Sequence, residues 1–338
     1  MTWYATLGAL CAADQPHVIT AFGDANAELQ AYQQGCTITP LSHFGLIRFQ
    51  GEETQPFLQG QLSSDIRALP AGGVQYSSYS TPKGRMQATF MVIRHGDEYL
   101  LQLDQAILPA LQKRLSMFIL RSKTKASTAE ELGQIGVAGP HAQAILNGLF
   151  GTLPATFSSA MHGDVQLIAL ENQRYQLLAP TSALPTLWEQ LRAAGATPAG
   201  TAVWTLSEIQ AGVPWVTAAT QEEFVPQMAN LELIGGISFT KGCYPGQEIV
   251  ARTQYLGKLK RRMFRMQVAS DNATAGMDVF SSEMNGQASG KIMLAAPSPT
   301  GGMEVLVVAQ IASLEHGLHL GAVDGPALHN LPLPYAMN

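Results

Sequence analysis

The sequence predicts an α+β protein: two related α+β halves followed by a small antiparallel β-barrel. Three observations carry the prediction. Strand-like and helix-like periods alternate up to about residue 257. Tyr99, Leu101, Leu108, Pro109, Leu111 and Leu115 recur at an offset of 76 as Tyr175, Leu177, Leu184, Pro185, Leu187 and Leu191. From Arg262 onward the texture changes to short apolar runs between Gly, Ser, Asn and Pro turns, as in small barrels.

The elements follow in order. Ala25 to Gln34 has the length of a short helix, and Leu46 to Phe49 reads as a strand ending at Gly51. Glu53 to Leu62 places Phe57, Leu58 and Leu62 at helical spacing. Tyr76–Tyr79 and Met86–Ile93 read as strands around the turn Thr81-Pro82-Lys83-Gly84. The turn at His95 to Glu98 leads into a strand over Tyr99 to Leu103. Each copy of the repeat then reads as strand followed by helix, preceded by a polar turn (Gly96-Asp97-Glu98; Asn172-Gln173-Arg174). The shared proline falls near the helix start, where a missing N–H does little harm. Barrel strands are expected over Met263–Val268, Met277–Phe280, Lys291–Ala295, Glu304–Ile311 and Leu318–Val323. A boundary near Gly257 divides residues 1–257, the α+β region, from 258–338, the barrel. Residues 1–40 carry no functional reading.

Composition narrows the function. The chain has 338 residues, with 46% hydrophobic and only 13% charged side chains. That excludes a disordered chain or a long solvated coiled coil. No apolar run approaches the ~20 residues that cross a bilayer, so no membrane partner is expected. The net charge of −5 argues against general polyanion binding. Three scattered cysteines, Cys11, Cys36 and Cys243, support neither a disulfide framework nor a structural zinc. The first basic residue is Arg48, so the charged start of a signal peptide is missing and a cytoplasmic location is expected. Phosphate-binding, dinucleotide-binding, zincin and nucleophile-elbow motifs are absent. His316 and His319 lack the further ligands of a metal site, and none is assigned.

Three constellations can carry chemistry. The first is Lys241-Gly242-Cys243-Tyr244-Pro245-Gly246-Gln247-Glu248, an irregular loop that precedes a short helix beginning near Ile249. A helix N-terminus and the nearby Lys241 both favour a thiolate at Cys243; an inert thiol in a tight turn is the other reading. The second is a basic run: seven Lys or Arg between Lys241 and Arg265 (Lys241, Arg252, Lys258, Lys260, Arg261, Arg262, Arg265) against one acid, Glu248. It is either a phosphate- or carboxylate-attracting patch or a solvated surface. The third is aromatic. Trp204 and Trp215 flank Gly212 and Pro214, and Phe44 follows His43; they can sandwich a flat heterocycle or belong to the core.

Lys241 to Glu248, extended by Ile-Val-Ala-Arg252, resembles the K-G-C-Y-x-G-Q-E signature of the YgfZ family, folate-binding relatives of the glycine cleavage T-protein (aminomethyltransferase). Phe57-Leu-Gln-Gly-Gln-Leu-Ser-Ser-Asp65, Thr81-Pro-Lys-Gly-Arg85, Gln227-Met-Ala-Asn-Leu231, Gly235 to Gly242 and Leu331-Pro-Leu-Pro-Tyr335 match further motifs of that family. The resemblance spans roughly residues 40–338.

It implies a folate-binding α+β region and an aminomethyltransferase-type barrel, with tetrahydrofolate or a derivative as cofactor. It also implies a role in making or maintaining iron–sulfur enzymes, including those that methylthiolate tRNA, and Cys243 as a functional thiol. Trp204 matches one folate-contacting tryptophan of the family. Phe44 stands where the other does, keeping a stacking face and losing the indole N–H. Lys83 and Arg85 are expected to meet the glutamate tail. The T-protein's catalytic Asp has no counterpart in Gly84-Arg-Met-Gln-Ala-Thr89, so aminomethyl transfer loses its obvious acid or base. Two rivals remain: a true one-carbon transferase, and a module that binds tRNA through the basic run at 241–265.

Overall fold

The computed structural model describes residues 2–257 and 259–337. The first half forms a five-stranded antiparallel sheet in the order Val74–Ser80, Met86–His95, Glu98–Asp104, Phe44–Gln50, Lys125–Thr128. Helix Leu108–Ile119 buries Leu108, Leu111 and Leu115, one face at helical spacing. The second half repeats this plan. Strand Arg174–Pro180 leads to helix Leu184–Ala193, which buries Leu184, Leu187 and Leu191. Both strand and helix begin 76 residues after their first-half counterparts, and both helices carry the proline in their first turn.

The halves are not consecutive stretches of chain. The second sheet runs Ser159–His162, Val165–Ala169, Arg174–Pro180, Leu132–Ala138, Thr37–Pro40, Thr197–Pro198. Its fifth strand, Thr37–Pro40, lies before the first half in sequence and pairs antiparallel with Leu132–Ala138. All four of its residues are buried, so it lacks the polar alternation by which a strand is read. Residues 1–40 thus complete a sheet.

The other differences are local. The helix expected over Glu53 to Leu62 spans only Thr54–Gln59. Beyond Gly60 the chain turns, and Gln59 holds the turn through Asp65 Oδ1 (3.0 Å) and the Ile66 N–H (2.8 Å). The C-terminal barrel is closed, in the order Arg261–Val268, Met303–Gln310, Ala288–Pro297, Asp278–Phe280, Leu318–Leu320, Ala327–Leu331. Its sixth strand, Ala327–Leu331, is not legible in sequence because it buries only Leu328. The fifth ends at Leu320 rather than Val323, since Gly321 turns the chain at a φ of +73°.

Helix Thr201–Gln210 joins these parts. Along strand Met303–Gln310, Val305 and Val307 fill the barrel interior, while Leu306 and Val308 join the main core with Leu206 and Ile209 of the helix. That is the two-residue period of a strand buried on both faces. The N-terminus of the helix is fixed by Glu28. Its carboxylate accepts from the N–H groups of Phe22 (2.6 Å), Gly23 (3.0 Å) and Gly200 (2.8 Å). Glu28→Ala leaves three donors without their acceptor, and a loss of about 3 kcal/mol or more is expected in denaturant unfolding. A loss below about 1 kcal/mol would show that water replaces the carboxylate.

Candidate functional site

Two places gather the residues singled out in the sequence. The first is a buried aromatic cluster. Phe44 opens its strand and packs against Trp215, with ring centroids 4.5 Å apart, and against His43 at 4.1 Å. Tyr76 meets Trp215 edge-on at 6.4 Å. Trp204 and Glu208 lie one helical turn apart, and the Trp204 Nε1–H donates to Glu208 Oε1 at 2.9 Å. The Arg174 guanidinium sits 5.8 Å from the centre of the Trp204 ring. Gly136 makes room, since a Cβ there would run into both Trp204 and Leu41. The structure therefore brings Phe44 to Trp215, and Trp204 to Glu208 and Arg174.

The electrostatics are unusual for a core. Glu208 is 3% exposed, and burial pushes its carboxyl up to about 8, against the lowering effect of the Arg174 charge and the Trp204 and Trp215 N–H groups. Burial also pushes His43 down to about 3, with His17 adding to it, and raises the Tyr76 hydroxyl. Several buried polar atoms have no hydrogen-bond partner among the described residues. They are both ring nitrogens of His43 and Oε1 of Gln176, while the Arg174 guanidinium beside the Tyr76 hydroxyl and the Trp215 Nε1–H beside the Glu208 carboxylate lack only a hydrogen bond of good geometry. Native interiors pair nearly all such atoms, and each one left alone costs about 1–3 kcal/mol. Their gathering in one place makes the cluster the candidate site. A cavity of about 410 Å³ reaches the cluster at Leu41 and Phe44, and Trp3, Tyr4 and His17 of the N-terminal segment line its other side.

The second place is the cysteine loop. Lys241 is buried, and its Nζ donates to the carbonyls of Leu62 (2.6 Å) and Ser64 (2.8 Å), 5.2 Å from the Tyr244 ring centre. Burial pulls its ammonium down to about 8. Lys241 is thus a strut between the Phe57–Asp65 segment and the loop, and its ammonium is committed to those carbonyls rather than to the thiol. Cys243 is exposed. Gly246, at a φ of +82°, starts helix Gln247–Tyr255. A Cβ on Gly246 would lie 2.7 Å from the Thr81 carbonyl and 2.8 Å from Gly84 Cα, so the Thr81–Arg85 turn packs directly on the loop. Gln247 donates to the Lys241 carbonyl at 3.5 Å; Glu248 lies in the first turn of the helix and Arg252 in its last. Gly242 has open space around its Cα.

The basic run is partly drawn inward. Besides Lys241, Arg262 pairs with Glu232 and Arg265 with Glu304. Arg252 and Lys260 are exposed, Arg261 is half-buried, and Lys258 lies outside the described residues. Lys83 is exposed, whereas Arg85 donates to the Glu223 carbonyl. Sequence reasoning missed Glu208 and Arg174. Glu208 carried a signal, its place four residues after Trp204 in a helix; Arg174 read only as part of a polar turn.

A family model described as the GCVT N-terminal domain matches residues 2–237. The fold is that of the glycine cleavage system aminomethyltransferase T from Bartonella henselae, with a TM-score of 0.78 and 16% identity over 98% of this chain and 95% of that one. These matches define a protein of the GCVT class. Curated relatives narrow it further. The tRNA-modifying protein YgfZ of Sodalis glossinidius is 31% identical over 89% of this chain and 93% of its own length. That of Colwellia psychrerythraea is 37% identical over 66% and 69%. The chain belongs to the YgfZ family. Among the described residues no helix is long and apolar enough to cross a membrane.

The raised Glu208 carboxyl has a signed consequence. The folded protein keeps this proton up to about pH 8, while an unfolded chain releases it near the ordinary 4.5. Between those values the folded state binds more protons, so stability falls as pH rises, with a slope approaching about 1.4 kcal/mol per pH unit. The difference between wild type and Glu208→Gln in denaturant unfolding from pH 5 to 8 is expected to carry this slope; below about pH 6.5 the buried, neutral His43 adds an opposing slope to both proteins. No difference in slope between the two proteins would place an ionised carboxylate in the core.

Proposed function

We propose that the protein binds tetrahydrofolate or a derivative in the aromatic cluster and serves, in the cytoplasm, as an accessory to iron–sulfur enzymes that modify tRNA. The observation that carries the folate reading is the set of buried polar atoms that lack a hydrogen bond of good geometry. A pterin ring offers flat faces, an amino group and a ring N–H that need an acceptor, and a carbonyl that needs a donor. Phe44, Trp204 and Trp215 supply faces, Glu208 the acceptor, and Arg174, His43 and Trp215 the donors. The residues therefore fit the group. Lys83 is the exposed cation available to a glutamate tail, since Arg85 already holds Glu223.

The accessory reading is supported by family membership and by the exposed thiol of Cys243, set in a loop fixed from behind by Lys241 and Gly246. A one-carbon transferase is disfavoured. Thr89, in the stretch where the aminomethyltransferase acid is expected, uses its hydroxyl to accept the Val216 N–H at 2.9 Å, beside Trp215, and carries no charge. Direct tRNA binding through 241–265 loses three of its seven cations to internal contacts.

Calorimetric titration with mono- and polyglutamylated tetrahydrofolate is expected to show one saturable site, weakened at least tenfold by Trp204→Ala. Binding unaffected by that change would remove the ligand from the cluster. Pterin N–H groups favour the ionised Glu208. Affinity is therefore expected to rise from pH 6 towards 8 by up to about tenfold per unit, and to be flat in Glu208→Gln. For the thiol, Cys243→Ala is expected to fold normally and to fail to restore tRNA methylthiolation in a deletion strain. Full restoration would make Cys243 dispensable.

A further inference from the structure

We propose that the end of the first repeated helix, with the loop that follows it, is a docking surface for an acidic, apolar segment of a partner protein. The apolar stripe of helix Leu108–Ile119 runs through Leu108, Leu111 and Leu115, all buried. The next position at helical spacing is Phe118, which is 45% exposed. Met117 beside it is 58% exposed and Leu120 is 87% exposed. Leu120 ends the helix at a φ of +42°, a conformation that a leucine adopts only at a cost. The duplication shows that the fold does not need these side chains. At the same offset of 76, Met117 and Phe118 correspond to Ala193 and Ala194, at the end of the second repeated helix. Lys113 and Arg114 correspond to Glu189 and Gln190. One copy closes its helix with small residues. The other extends an apolar and basic face beyond the core.

Charge singles out the occupant. Between residues 105 and 129 there are five cations, Lys113, Arg114, Arg121, Lys123 and Lys125, and no Asp or Glu, in a chain whose net charge is −5. Arg114 donates to the Tyr79 hydroxyl at 3.2 Å. Lys123 meets Glu52 at 3.1 Å, a weak pair because both side chains are largely in water. Lys113, Arg121 and Lys125 are exposed and make no ion pair among the described residues. A groove of about 700 Å³ is lined by Glu53, Phe118, Ile119, Leu120, Arg121 and Ser122. A second, of about 480 Å³, shares Ser122 and continues past Lys123 and Lys125. The one acid in the lining, Glu53, accepts the Lys123 N–H at 2.6 Å. An apolar centre with a cationic rim is the anatomy of a protein interface. Its complement offers apolar side chains to the groove and carboxylates to the rim. RNA phosphates would meet the cations and leave Met117 and Leu120 without partners. A flat bilayer would leave both grooves unfilled.

The test is a fluorescence-anisotropy titration of the full chain with a short labelled peptide that alternates glutamate with leucine. Saturable binding is expected. Leu120→Ser or Phe118→Ser is expected to weaken it about tenfold, the effect of losing one buried apolar side chain. Reversing the rim with Arg121→Glu and Lys125→Glu together is expected to weaken it by about tenfold or more, and added salt to do the same in wild type. An all-glutamate peptide is expected to bind about tenfold more weakly than the alternating one. These side chains are exposed, so the variants are expected to fold and to keep wild-type affinity for tetrahydrofolate. A loss of both affinities together would trace the effect to the fold and overturn the surface. No binding by wild type, or binding that the substitutions leave unchanged, also overturns the proposal. So does equal binding of the all-glutamate peptide, which would leave a charge effect alone. Bulk tRNA or phosphatidylglycerol vesicles bound in place of the peptide, and released by the same substitutions, would give the surface to another occupant and overturn the protein partner. A dimer of the chain that Leu120→Ser dissolves would do so as well.

Discussion

Helix Thr201–Gln210 has no solvent face. Every one of its residues is buried or half-buried, pressed between the second sheet, the N-terminal segment and the barrel. A helix in that position must meet its polar needs from within the protein. Glu28 holds the N–H just ahead of it, Ser207 returns its hydroxyl to the Trp204 carbonyl at 2.6 Å, and Thr205 does the same to Thr201 at 3.1 Å. Glu208 takes the Trp204 N–H and lies beside Arg174 and Trp215. The cluster owes its chemistry to this constraint: water is excluded, so an unfilled hydrogen bond there is costly.

One strand relates the cluster to the cysteine loop. Val74–Ser80 carries Tyr76 against Trp215. The next two residues turn to another task. Ser77 accepts from the Ser64 N–H at 3.1 Å, and the Ser78 N–H donates to the Ser63 hydroxyl at 2.8 Å. Those serines precede and include the carbonyl that receives Lys241. The segments Phe57–Asp65 and Lys241–Glu248, far apart in sequence, are thus one mechanical unit. A change of the ring cluster that shifts this strand has a direct path to the loop bearing Cys243.

Legibility in the sequence followed periodicity. The duplicated strand and helix, with their leucines and prolines, were visible because each buries one face. Five barrel strands were visible for the same reason. Strand Thr37–Pro40, buried all round, and Ala327–Leu331, buried at one residue, show no contrast to read. At the site, motif resemblance points to Trp204, Phe44 and the cysteine loop, whereas closeness in sequence set Lys241 beside the thiol. Its carbonyl partners are about 180 residues away in the chain, beyond any local pattern. Arg174 was missed for a related reason: a charge in a polar turn looks solvated until the fold places an indole over it.

The early strand also shapes how the protein can be made. Thr37 pairs beside Ala138, 101 residues later, and with Thr197 at the sheet edge. During synthesis Thr37–Pro40 emerges long before either partner, so the second sheet closes only after the first half and much of its own half are complete. Long-range closure of this kind carries an entropic cost before any contact rewards it, and slow folding follows. A chain cut between the halves would leave the second sheet without its fifth strand and Leu132–Ala138 as a bare edge open to self-association. The duplicated architecture therefore does not divide into two independently folding copies; the interlocking segment makes a single cooperative unit of both.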